Sequence, residues 1–172
     1  MNITFRILDK KEFTAVYQLM QLSFPPAEYR TYEEELALFE RPYYRVLVVE
    51  ENGTIQAFIA EWALSEVHYV EHFAVNPVTR GKGLGTKVMR EYLKQAKASV
   101  IIEVEAEETL IASRRIAFYE RLGFVQSNIK YIQPNLQKIS KDVLLRIMYY
   151  PAKLSENTLY AVKREIYQTV YA

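Results

Sequence analysis

Two periodicities of apolar residues alternate along the chain. Ile3 to Leu8 alternates apolar and polar positions over a short run, the pattern of a half-buried strand. Asp9-Lys10-Lys11-Glu12 has the spacing of a capping box. Phe13, Val16, Tyr17, Leu19 and Met20 then recur at helical intervals. Ser23-Phe24-Pro25-Pro26 ends that helix. Thr31 and Glu34 open a second helix, expected to turn Leu36 and Phe39 inward, and Pro42 stops it. Tyr44 to Glu50 and Thr54 to Leu64 are β-rich runs around Asn52-Gly53, a strong hairpin signal. A third strand is expected over Val67 to Val75.

The texture changes after Asn76-Pro77-Val78-Thr79. The loop Arg80-Gly81-Lys82-Gly83-Leu84-Gly85 holds three of the five glycines. It leads into a helix with an apolar stripe of Leu84, Val88, Met89, Leu93 and Ala96. Val100 to Ala106 reads as a buried strand. Ser113 to Leu122 reads as a helix closed by Gly123, and Gln126 to Gln133 and Asp142 to Tyr150 as two more strands. The order β-α-α-β-β-β-α-β-α-β-β is mixed α/β, an antiparallel meander followed by crossovers. One domain is expected over 1–150. Residues 151–172 form a helical extension whose stripe of Leu159, Val162, Ile166 and Val170 must pack on that domain or on a partner, a second copy included.

Composition narrows the chemistry. The 172 residues carry 22 Lys and Arg against 21 Asp and Glu, a net charge of +1, so no global bias draws nucleic acid or an anionic membrane. No run is long enough for a membrane helix and the first residues lack a signal-peptide layout, which points to the cytoplasm. The absence of cysteine removes disulfides, thiolate metal sites and a cysteine nucleophile. His68 and His72 would stand about 13 Å apart on a strand, too far to share one ion, so no metal site is expected. Carboxylates, hydroxyls, amines and backbone remain.

The glycine loop follows a strand and opens a helix. Its backbone can turn tightly, the first helical N–H groups lack partners, and Arg80 and Lys82 add positive charge. Together these read as an anion cradle. A glycine-rich turn without a ligand is the plain alternative. The Walker spacing is absent, and Thr86 stands where the dinucleotide fingerprint needs its third glycine.

Phe73-Ala74-Val75-Asn76-Pro77 followed by Arg80-Gly81-Lys82-Gly83-Leu84-Gly85 resembles the acyl-CoA-binding segment of the GNAT superfamily of N-acetyltransferases. Ile116-Ala117-Phe118-Tyr119-Glu120-Arg121-Leu122-Gly123-Phe124 resembles that family's second motif. The resemblance covers residues 67 to 124 well. It implies a mixed central sheet of six to seven strands flanked by helices, with the extra C-terminal helix. The backbone of Phe73, Ala74 and Val75 would pair with the pantetheine arm of acetyl-CoA. Arg80, Gly81, Lys82, Gly83, Leu84, Gly85 and Thr86 would hold its pyrophosphate. Lys82, Lys87 or Arg90 would meet the adenosine phosphates. Where the family often has an asparagine contacting the arm, this chain has Ala112 with Ser113 beside it.

The implied reaction is acetyl transfer from acetyl-CoA to a primary amine by direct attack. The acceptor is a small molecule or a peptide, placed against Ser23 to Tyr32 and Tyr131 to Leu136. Tyr119 is the candidate acid for the leaving thiolate. Glu71 and Glu103 are the candidate bases, and a water chain without a single base is a third route. On simple alternation Glu71, Phe73 and Val75 share one face of their strand, a parity that a bulge would change. Glu103 and Glu105 share a face of theirs, which is costly unless solvated or functional. A non-catalytic acyl-CoA-binding module is the competing class, and a nucleotide-binding regulator a third. Neither has need of Tyr119 together with a nearby carboxylate.

Overall fold

In the computed structural model, the described residues are 2–106, 109–134, 136–137, 142–151 and 153–171. The expected loop beyond Tyr131 therefore falls partly outside them, at residue 135. Seven strands form one sheet: β1 (Arg6–Ile7), β2 (Tyr44–Glu51), β3 (Thr54–Ala63), β4 (Val67–Val75), β5 (Ser99–Glu105), β6 (Val125–Gln133) and β7 (Val143–Tyr150). Their order is β1-β2-β3-β4-β5-β7-β6. Every neighbouring pair is antiparallel except β4 and β5. Helices α1 (Phe13–Ser23), α2 (Tyr32–Ala37), α3 (Leu84–Gln95), α4 (Leu110–Arg121) and α5 (Glu156–Glu165) cover the two faces.

Local chemistry explains most boundaries. Asp9 and Glu12 form the capping box ahead of α1, and the Thr31 hydroxyl accepts from the Glu34 amide at the start of α2. Asn52 and Gly53 both take positive φ, 53° and 76°, as a two-residue hairpin turn requires. Two expectations are corrected. The first strand is only Arg6–Ile7, because Ile3 and Phe5 pack on the core beside the sheet without pairing. Helix α4 begins at Leu110, since the Thr109 hydroxyl caps the Ala112 amide three residues upstream of the expected start. Leu36 of α2 and Phe39 just beyond it pack inward against the core as expected, partly buried, and the buried side chains beside them are Glu35 and Leu38.

Two apolar layers sandwich the sheet. Phe13, Val16 and Met20 of α1 pack with Trp62, Tyr69, Ile101 and Ile147 on one face. Val88 and Met89 of α3 pack with Ile59, Ile102 and Met148 on the other. The α5 stripe lies in the first layer: Leu159, Val162, Ile166 and Val170 are buried against the same sheet face as α1. At about 25 cal/mol per Å² of apolar surface, the stripe anchors the extension to its own sheet.

The feature that shapes the site is a fork. Strands β4 and β5 pair from Val67↔Ser99 only to Val70↔Ile102. Beyond that point β4 stays paired with β3 as far as Val75, and β5 stays paired with β7 as far as Glu105. The first residues past the fork are Glu71 and Glu103.

Candidate active site

The fork opens into a cleft of about 520 Å³. Among the residues expected to bind or react, Glu71, Phe73, Ala74, Val75, Arg80, Gly81, Gly83, Leu84, Gly85, Thr86, Glu103 and Tyr119 line it. Lys82 and Ser113 do not. Both are exposed, as are Lys87 and Arg90. On α4 the lining beside Phe118 and Tyr119 comes from Arg114 and Arg115, because Ser113 sits on the outer side of the helix.

The loop is built to leave its amides free. Asn76 caps the turn, accepting from the Val78 amide at 3.2 Å and donating to the Ile55 carbonyl at 3.1 Å. Arg80 folds back: its Nε donates to the Val75 carbonyl (3.2 Å) and its Nη2 to Ser23 Oγ (2.8 Å), which staples the loop to β4 and α1. Gly81 and Gly83 have φ of +82° and +74°, a conformation costly for any residue with a Cβ. Gly83 is the N-cap of α3 and offers no side-chain cap. The first N–H groups of a twelve-residue helix thus face the cleft at its positive dipole end.

A bulge sets the parity of β4. Ala60 pairs with His72 and Glu61 with Val70, so Glu71 is the extra residue. Simple alternation fails here. Val70, Phe73 and Val75 pack toward the α3 face, while Tyr69 and Ala74 join the α1 face. Glu71 therefore does not share a face with Phe73. It turns toward Trp62 and Arg30. Trp62 Nε1 donates to Glu71 Oε1 at 2.9 Å, and Arg30 Nη1 donates to Oε2 at 2.8 Å. Burial pushes the Glu71 carboxyl up, but Arg30, His72 and the Trp62 hydrogen bond together outweigh it and hold the group below the usual carboxylate range. Arg30 also serves Glu35, at 3.3 Å. Burial raises the Glu35 carboxyl, and His72 and Arg30 offset that only in part.

Glu103 has the opposite surroundings. The hydroxyls of Tyr69 and Tyr171 both donate to its Oε1, the latter at 3.2 Å. Among the described residues its buried Oε2 has no partner. Burial pushes this carboxyl up to about 8; the Tyr171 hydrogen bond and Arg30 pull it down in part, and nearby Glu28 pushes it further up. Glu28 is itself raised to about 7, by burial and by a hydrogen bond shared with Glu105, with Arg115 3.8 Å away. A recess of about 50 Å³ joins these groups to the cleft, with Glu28, His72, Glu105 and Gln133 in its wall. Gln133 Nε2 donates to the Ala27 carbonyl at 3.0 Å, so the two segments expected to meet the acceptor meet each other here.

Tyr119 lies across the cleft on α4, its ring edge-on to Phe118 and Phe124. Burial raises its hydroxyl to about 12, so it is a neutral phenol that can donate a proton. The histidines are separate. His68 Nδ1 stands 3.6 Å from Glu61, and His72 Nε2 lies 2.7 Å from the Glu28 carbonyl.

The cleft thus gathers a glycine loop at a helix N-terminus, a splayed parallel pair of strands, two buried carboxyls and a neutral phenol. The Acetyltransferase (GNAT) family matches residues 13–124, and the chain belongs to it. It is an acetyl-CoA-dependent N-acetyltransferase. A Bacillus subtilis protein described as a [ribosomal protein bS18]-alanine N-acetyltransferase is 24% identical over 117 residues, 67% of this chain and 76% of the relative. A GNAT-family structure from Bacteroides thetaiotaomicron is 27% identical, with a TM-score of 0.89 over 98% of both chains. A Salmonella typhimurium structure solved with acetyl-CoA is 22% identical, with a TM-score of 0.63 over 90% of this chain and 96% of that one. Among the described residues, no helix is long and apolar enough to cross a membrane.

The site residues that sequence patterns did not reveal are Glu28, Arg30, Tyr69, Arg115 and Tyr171. Glu28 and Arg30 lie inside the expected acceptor segment, and their charge between two prolines and a helix cap was the available signal. Tyr69 and Tyr171 carry none that separates them from the other tyrosines.

Proposed function

We propose that Glu103 is the proton acceptor and Tyr119 the proton donor for acetylation of a primary amine. The amine would be brought in between the Phe24–Tyr32 segment and Gln133. The observation that carries this reading is the pairing at the fork: Glu71 is closed off by Arg30 and Trp62, while Glu103 keeps a buried oxygen free. A chain with free edges beyond Val70 and a bare helix N-terminus at Gly83 fits the pantetheine arm and pyrophosphate of acetyl-CoA. Acetyl-CoA supplies an acetyl group activated as a thioester.

Every proton has a place. An arriving ammonium favours the ionised form of Glu103, whose own proton leaves to solvent. Glu103 then takes one proton from the ammonium, which frees the nitrogen lone pair. The nitrogen attacks the carbonyl carbon, the C–N bond forms and the C–S bond breaks. Tyr119 gives its proton to the sulfur and regains one, through water, from the acylated nitrogen. The products are an amide, the free thiol and one proton held by Glu103.

The Bacillus subtilis relative is described as acting on an alanine amine of a ribosomal protein. A peptide amine is therefore one arm of the test, beside lysine-bearing peptides and small diamines. With an accepted amine, Tyr119→Phe should lower kcat by about 10²-fold, in the range of lost acid catalysis, and leave acetyl-CoA affinity unchanged. Full activity in Tyr119→Phe would remove Tyr119 from the reaction. Binding of acetyl-CoA without turnover on any amine would oppose the whole reading.

A further inference from the structure

The family match ends at residue 124, yet the segment after α5 reaches the fork. We infer that Tyr171 is a positioning residue of the active site, and that Arg30 and Arg41 clamp the backbone around it so that its hydroxyl orients Glu103. The inference rests on the reading of Glu103 as the base.

The contacts form one chain. Residues Ile166–Val170 wind more loosely than α5, with Ile166 and Val170 buried in the core. Arg30 Nη2 donates to the Val170 carbonyl at 2.9 Å, and Arg41 Nη2 to the Thr169 carbonyl at 2.7 Å. Tyr167 Oη donates to the Ile132 carbonyl at 2.5 Å. These bonds fix the residues on either side of the helix end. The Tyr171 ring lies under the Arg30 guanidinium, with its hydroxyl 3.2 Å from Glu103 Oε1 and 3.4 Å from the Tyr69 hydroxyl. Two phenols on Oε1 leave Oε2 as the oxygen open to chemistry. The same Arg30 holds Glu71 and the Tyr171 segment, so it neutralises one carboxylate and places the support for the other.

The groups facing Glu103 come from every neighbouring element. Tyr69, Glu71 and His72 come from β4, and Glu105 from its own strand. Arg115 comes from α4, Glu28 and Arg30 from the α1–α2 connection, and Tyr167 and Tyr171 from the last segment. Among the described residues, Tyr171 is the one hydrogen-bond donor to Glu103 from outside the matched family region. A hydrogen bond donated to the carboxylate stabilises its charged form, so removing it makes Glu103 harder to ionise.

The test compares pH profiles of kcat/KM in wild type, Tyr171→Phe, Arg41→Gln and Glu103→Gln. Tyr171→Phe should lower kcat about tenfold and move the rising limb upward by about one pH unit. Its acetyl-CoA affinity should stay within about twofold, because Tyr171 is absent from the cleft wall that the loop forms. Arg41→Gln, whose guanidinium lies over the Trp62 ring at 5.4 Å but bonds to neither Glu71 nor Glu103, should shift the limb in the same direction by less. It reads the clamp even if Tyr171→Phe folds poorly. A purely structural Tyr171 would lower melting temperature and kcat with the limb in place. If Glu103→Gln abolishes the limb while both other variants leave it unmoved, the positioning role is overturned and the base assignment stands. If Glu103→Gln keeps full activity, the base assignment fails and this inference falls with it.

Discussion

Glu71 and Glu103 occupy equivalent places on neighbouring strands, one residue past the last β4–β5 pair. Both are carboxylates at the mouth of the same cleft, and their surroundings make them opposites. Glu71 has a guanidinium and an indole N–H, and it stays ionised. Glu103 has two phenols and buried neighbours, and it holds its proton up to about pH 8. The partners, not the residue type, set the charge of each carboxyl. A paired buried carboxylate is a structural ion. A desolvated carboxylate with one free oxygen suits proton transfer, the role proposed for Glu103.

The comparison can be broken in descending order of effect. Glu103→Gln should cut kcat/KM by about 10²- to 10⁴-fold, because general-base catalysis is lost. The same variant should not be less stable. Glu103 binds its proton more tightly folded than unfolded, so its cost to folding grows as pH rises from the ordinary carboxylate range to about 8 and is full above that. Glutamine removes the cost, and urea unfolding at pH 8 should show a gain of about 1 kcal/mol or more. Loss of stability together with activity would make Glu103 a structural residue.

Glu71→Gln should do the reverse. Removing the closer partner of this buried ion pair leaves Arg30 with Glu35 alone, at 3.3 Å, and should cost up to about 3–5 kcal/mol, read by urea or thermal unfolding. Glu71 binds its proton less tightly folded than unfolded. Its contribution is present at neutral pH and lost as pH falls through its lowered folded value. Wild type should therefore lose more stability on acidification than Glu71→Gln does. A stable Glu71→Gln with a collapsed kcat would exchange the two roles.

The smallest effect lies at the loop. Gly83→Ala puts a Cβ on a backbone at φ +74° with open space around it, so the cost is backbone strain alone, about 1–2 kcal/mol. Acetyl-CoA affinity, measured by calorimetry, should weaken while the kcat of the bound enzyme changes little. A large fall in kcat would mean that the loop governs the fork as well as the cofactor.

Much of this was legible in the sequence. The order of strands and helices, the Asn52-Gly53 hairpin, the glycine loop and Tyr119 all rest on local signals, and local signals survive folding. Glu71 and Glu103 were both visible as carboxylates beside the loop. Their difference was not. It depends on a one-residue bulge that turns Glu71 away from Phe73, and periodicity cannot register a single inserted residue. It also depends on Arg30, 41 positions before Glu71, and on Tyr171, 68 positions after Glu103. Nothing in a run of neighbouring residues announces a hydrogen bond over that separation. The α5 stripe was plain from its spacing, but its place on the α1 face was set by the sheet it covers.

The surroundings of the fork hold its two carboxyls on opposite sides of the ordinary carboxylate range. Carbon-13 NMR of the glutamate carboxyls, assigned with Glu71→Gln and Glu103→Gln, follows both in one sample without acceptor. Glu103 should titrate near pH 8 and Glu71 below the ordinary glutamate value of about 4.3. Two midpoints near that ordinary value, or Glu71 as the higher of the pair, would contradict it.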